Sequence, residues 1–149
     1  MDPSEALLGL GIGMIVLLVF AIALLPTIFF LLTLHRTFDE VSLENRLMPS
    51  AQVWLALIPL FGTIWQFIIV QKMADSLQKE FALRGVECKE ARPGYSIGMA
   101  YCILTVCSVI PFVNFLTGFG VLITWIIYWV NIADYKNTLV RNPLTKIIS

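Results

Sequence analysis

Charge is scarce in this chain. Only 13% of its 149 residues are charged, and ten bases cancel ten acids. A soluble domain carries about 25%. The balance leaves no electrostatic footprint for a nucleic acid and no polybasic stripe for anionic lipid headgroups. Histidine occurs once, at His35, and the three cysteines, Cys88, Cys102 and Cys107, form no C-x-x-C. A lone imidazole without partners at ligand spacing does not make a metal site, so no metal or cofactor is expected. Catalytic signatures are missing as well. There is no H-E-x-x-H, no G-x-S-x-G, no phosphate-binding loop and no acid or base inside the apolar runs. The expectation is a protein that is not an enzyme. An ion-coupled pump, which needs an ionisable group at membrane depth, is equally disfavoured.

Apolar residues are abundant instead: 58% of the chain, with a mean hydropathy of +0.85. Four stretches, 6–34, 51–71, 95–112 and 119–133, contain no Asp, Glu, Lys or Arg. A helix needs roughly 20 apolar residues to cross the ~30 Å hydrocarbon layer. The pattern predicts an all-α integral membrane protein, a single membrane domain over 1–149 that folds as a compact bundle of four hydrophobic segments. Asp2 and Glu5 precede the first segment with no base, which speaks against a cleaved secretory signal. Amphipathic extensions are expected over 34–47, 72–85 and 132–141. Their apolar stripes are Leu34, Phe38 and Val41, then Met73, Leu77 and Phe81, then Ile132, Tyr135 and Leu139. Asp75 with Lys79, and Glu80 with Arg84, are i, i+4 ion pairs in the favourable order.

Bases favour the cytoplasmic side. If all four segments cross, eight of the ten bases share a side with the amino terminus, against the local charge around the first segment. If the second segment instead enters and leaves by one face, all ten bases lie on one side and the acidic amino terminus on the other. An internal repeat favours this re-entrant hairpin. Arg46-Leu-Met-Pro49 leads to Ile58-Pro59-Leu60-Phe61-Gly62, Trp65 and Ala74-Asp75. Arg92-Pro93-Gly94 leads to Ile110-Pro111-Phe112-Val113-Asn114, Trp125 and Ala133-Asp134. Turns are therefore expected at Pro59 and Gly62, and at Pro111 and Asn114. One kinked span over 51–80 is the alternative, since membrane helices tolerate proline. The run Trp54-Leu-Ala-Leu-Ile58-Pro59-Leu60-Phe61-Gly62 resembles motifs of small bacterial multi-pass membrane families of uncharacterised function. The resemblance implies a bacterial inner (plasma) membrane and no particular activity.

Several residues are candidates for more than packing. Gly9 with Gly13, and Gly94 with Gly98, are small-residue faces that let helices approach, within the chain or between chains. Asp39, Asp75 and Asp134 would share a depth, as a cation or proton cluster or as carboxylates paired with nearby bases. Gly62 and Thr63 would open a half-helix whose positive dipole end faces a polar solute. Gln66, Thr105, Ser108, Asn114, Thr124 and Asn131 are uncharged polar groups able to bond between helices.

Two functions from different classes fit this pattern. The first is a small oligomeric or accessory subunit, or scaffold, of a membrane complex, with lipids and a second copy or other subunits as partners. The alternative is an oligomeric channel or facilitator for an anion or small polar solute, built on the re-entrant half-helix.

Overall fold

The computed structural model describes residues 2–58 and 60–144, so the expected turn residue Pro59 lies outside the described residues. Among the described residues all regular structure is helical: α1 (Pro3–Glu40), a 3-10 helix (Ser50–Leu57), α2 (Phe61–Arg84), α3 (Tyr95–Cys107) and α4 (Pro111–Arg141). The chain divides into two compact units, Met1–Leu32 and Thr33–Ser149.

The first unit is helical throughout its described length from Pro3. Its start follows from local chemistry. The Asp2 carbonyl accepts from the Glu5 and Ala6 N–H groups. Pro3 takes the first helical position, where its missing N–H costs nothing, and Glu5 complements the dipole. From Leu7 to Ala23 every side chain is exposed, Leu, Ile, Val and Phe included. A helix that is apolar all round cannot be satisfied by one buried face.

The second unit holds the larger core. Leu34, Phe38 and Val41 are buried, as are Met73, Leu77, Phe81, Ile132 and Leu139. Phe81 meets Tyr135 edge to face at 5.8 Å. Helix α3 packs on both α2 and α4. Gly98 lets α3 approach both, since an added Cβ there would lie 2.7 Å from the Tyr128 ring and 2.8 Å from Val70. Trp129 Nε1 donates to Thr33 Oγ1 at 2.9 Å, tying α4 to the last turns of α1. Helix α2 ends at Gly85, whose φ of 64° is left-handed. The N–H of Val86 returns to the Phe81 carbonyl, the bond of a Schellman ending.

Among the described residues, helices α1 and α4 are long and apolar enough to cross a bilayer, and α3 is a shorter apolar helix. The third stretch, 95–112, is cut at Cys107, leaving 13 residues or ~20 Å of helix at 1.5 Å per residue. The second half of α2 carries Lys72, Asp75, Lys79, Glu80 and Arg84. One expectation about the elements is corrected, that of a turn at Pro111 and Asn114. The turn lies before them, at 108–110, and Asn114 sits in the first turn of α4 with its N–H on the Ile110 carbonyl at 3.0 Å. Pro111 opens the helix because its fixed φ is helical and it needs no acceptor. Helix α4 therefore starts eight residues before Phe119. The extension expected over 34–47 is also helical only to Glu40.

The two copies of the repeat share a backbone feature. Ile58 has φ −73° and ψ 119°, and Ile110 has φ −81° and ψ 117°. Each precedes a proline, whose ring forces the residue before it out of the helical region.

Candidate functional site

The start of α2 is where local constraints accumulate. Ile58 is extended, and Leu60 has φ 64° and ψ −55°. That region is unfavourable for any residue with a Cβ and costs roughly 1–3 kcal/mol. Gly62 then lies against the 3-10 helix, and a Cβ there would overlap the Ala56 carbonyl oxygen and stand 2.7 Å from its carbon. Only glycine permits this approach. Trp65 Nε1 donates to the Gln52 carbonyl at 2.8 Å, fastening the 3-10 helix to α2. Phe61 stacks on Trp65 at 5.4 Å.

Between this corner and α3 lies a cavity of about 110 Å³, bordered by Gly62, Thr63 and Gln66 of α2 and by Tyr101, Cys102 and Thr105 of α3. Gln66 is 8% exposed, and its Nε2 has no hydrogen-bond partner. The Thr105 hydroxyl donates to the Tyr101 carbonyl at 2.8 Å. No carboxylate and no cation borders the space. It is a neutral cavity beside the amino end of a 24-residue helix.

At the other end of α2 is a buried ion pair. Glu80 is 0% exposed and the Arg84 side chain 6%, with Nη2 and Oε1 2.6 Å apart. The second carboxylate oxygen accepts from Ser42 Oγ at 2.7 Å and Asn45 Nδ2 at 2.8 Å. Arg84 also reaches three backbone carbonyls: Leu139 at 2.6 Å, Asn142 at 2.9 Å and Glu40 at 2.8 Å. These are acceptors at the carboxyl ends of α4 and α1, where a helix runs out of its own N–H donors; the Leu139 carbonyl also accepts from the Asn142 N–H at 3.2 Å. Burial pushes the Glu80 carboxyl up, but the bonds from Asn45, Ser42 and Arg84, with the Arg84 charge, hold it below its ordinary value. Every oxygen and donor of the pair is used, which makes it a structural clasp.

The expected aspartate group is dispersed over separate partners. Asp39 sits 3.3 Å from both His35 Nε2 and Arg46 Nη1. Asp75 accepts from Arg92 Nε at 2.9 Å and Nη2 at 2.7 Å, and that arginine, not Lys79, is its ion-pair partner. Asp134 is exposed. No group of three or more His, Cys, Asp or Glu able to hold a metal occurs among the described residues. The Asp75 bond, against desolvation, holds the Arg92 pKa above its ordinary value. The Arg92 guanidinium also lies 3.8 Å from the Tyr95 ring centroid.

The two glycine faces differ. Gly94 and Gly98 are filled from within the chain, with Tyr128 against both. Gly9 and Gly13 have nothing within 4 Å of an added Cβ. Sequence reasoning placed Glu80 and Arg84 as an ordinary i, i+4 pair and missed their burial. The signal was there: Glu80 follows Met73 and Leu77 at i+7 and i+3, on the apolar stripe itself. A scan against protein-family models, a search of curated proteins and a search of solved structures match nothing to this chain.

Proposed function

We propose that this chain is a non-enzymatic integral membrane protein that works as a small oligomeric or accessory subunit of a membrane complex. The observation that carries the reading is the outer surface of α1. Residues 7–23 are exposed all round and almost wholly apolar, and Gly9 and Gly13 present an open notch on it. Such a helix is at home in lipid, and an open small-residue face lets a second helix come close. The equivalent face at Gly94 and Gly98 is already occupied within the chain.

The finer topology we propose is the re-entrant one. Its support is the break between Leu57 and Phe61 and the close backing of Gly62 on Ala56. The eight-residue 3-10 helix is ~16 Å long at about 2.0 Å per residue, half the thickness of the hydrocarbon layer. With this fold-back all ten Lys and Arg share the cytoplasmic side, the amino terminus lies outside, and the resemblance of the Ile58-Pro59 run points to a bacterial inner membrane. A second reading, a facilitator for an anion or small polar solute, is favoured by one observation, the neutral cavity at the amino end of α2.

Cross-linking of the full chain in native membranes tests the assembly reading. A discrete homo-oligomer or a constant partner is expected, and Gly9→Leu with Gly13→Leu should abolish it while the chain still inserts. A chain that remains monomeric and without partners overturns the reading.

A further inference from the structure

Helices α3 and α4 form the longest stretch of the chain without charge. Between Arg92 and Asp134 there is no Asp, Glu, Lys, Arg or His. The base of this hairpin is polar: Arg92 donates to Asp75 at 2.7 Å and lies 3.8 Å from the Tyr95 ring centroid. The other end is apolar and bare. Val109, Phe112, Phe115 and Leu116 are each more than 70% exposed, Phe112 reaching 95%. Water is a poor solvent for such a tip.

The turn is also built to do without water. The N–H groups of Ser108, Val109 and Ile110 bond to the carbonyls of Leu104, Val106 and Cys107, and those of Val113 and Asn114 both bond to the Ile110 carbonyl. Pro111, between them, has no N–H to place. The hydroxyls are matched in the same way. Thr105 donates to the Tyr101 carbonyl, Ser108 to Thr105, Thr117 to Val113 and Thr124 to Gly120. A loop in water has no need of this closure, whereas backbone at membrane depth must find its partners within the protein. Length agrees. Helix α3 is ~20 Å long, about 10 Å less than the hydrocarbon layer. With Tyr95 at the cytoplasmic boundary, the turn falls short of the far one. Charge counting is blind to this, because a hairpin without Lys or Arg adds nothing to either side.

We propose that the α3–α4 hairpin ends inside the bilayer, with Val109, Phe112, Phe115 and Leu116 among the acyl chains of the far leaflet and no part of the turn in water beyond it. Asn114 is exposed and brings one amide to this tip, for which the ester carbonyls of the far leaflet are acceptors. The proposal rests on the reading of the chain as an integral membrane protein.

The full chain, reconstituted in vesicles of dioleoylphosphatidylcholine, tests it. Phe112→Cys and Lys89→Cys are compared in a background lacking Cys88, Cys102 and Cys107, with an impermeant maleimide on both faces. Phe112→Cys should react at least about tenfold more slowly than Lys89→Cys, since the attacking thiolate needs water, and should catch up once detergent dissolves the vesicles. A second readout uses the parent chain and needs no variant to fold. A lipid carrying a diazirine at its acyl terminus should label residues 109–119, and a water-soluble diazirine should not. A tip thiol as reactive as that of Lys89→Cys in intact vesicles, or labelling of 109–119 by the water-soluble reagent, overturns the proposal while the chain stays in the membrane. A chain that washes out of the vesicles at alkaline pH overturns the membrane reading as well.

Discussion

Arg84 has five N–H donors and uses all of them, on Glu80 and on the carbonyls of Glu40, Leu139 and Asn142. Truncating it strands a buried carboxylate, so Arg84→Ala should cost about 3–5 kcal/mol in thermal or denaturant unfolding. Arg84→Lys keeps the charge but not the planar fork, and should still lose about 2–3 kcal/mol. The same pair sets an acid limit. Glu80 has a lowered pKa in the fold. Its ionisation therefore contributes stability that is fully present above its ordinary value of 4.5 and is lost as pH falls through the depressed one. Glu80→Gln should flatten that part of the stability–pH profile. Glycines separate just as sharply. Gly62→Ala meets backbone that cannot swing aside and should cost about 1–3 kcal/mol. Gly9→Ala meets nothing, and the unfolding midpoint should show a change within about 0.5 kcal/mol. At this scale the sequence was only partly legible. Period and spacing paired Glu80 with Arg84, but the acceptors on Glu40, Leu139 and Asn142 are backbone atoms brought in by tertiary packing, which no side-chain pattern announces.

Among the elements, the helices themselves were readable and their ends were not. Apolar periodicity located α1, α2 and α4 because the stripes, such as Leu34, Phe38 and Val41, end up buried, with Tyr135 alone among the nine residues half-buried. Proline was the ambiguous letter. The repeat predicts a turn at Pro111 and Asn114, whereas residues 108–110 make the turn and Pro111 opens α4. Ser108 contributes by donating its hydroxyl to the Thr105 carbonyl at 2.7 Å, a local bond that competes with helix continuation. The 3-10 helix depends on contacts with α2. Trp65→Phe removes the bond to the Gln52 carbonyl, and amide hydrogen exchange over residues 52–57 should accelerate while α2 beyond Met73 is unchanged. Leu60 holds a left-handed backbone with its side chain 87% exposed. Leu60→Gly should relieve strain at no packing cost and raise the unfolding midpoint by an amount equivalent to about 1 kcal/mol.

For the whole molecule, the distribution of bases was the informative signal. It carries the proposed topology, in which the loops on either side of the second apolar stretch face the same way. Single cysteines at the exposed positions Leu43 and Lys89, in a background lacking Cys88, Cys102 and Cys107, should both react with an impermeant reagent added from the cytoplasmic side. Opposite reactivity would mean four crossings. Composition located two helices long and apolar enough to cross a bilayer, but charge and hydropathy carry no information about a cavity formed when α2 and α3 meet. Synthesis order gives the Arg84 clasp a further consequence. Its acceptors come from residues 40, 80, 139 and 142, so the guanidinium is made long before its last two carbonyls leave the ribosome. A nascent chain stopped short of residue 139 keeps a partly unmatched cation where a finished one has a closed knot. Latching the ends of α1 and α4 together therefore waits on residues 139 and 142, however early α2 has formed.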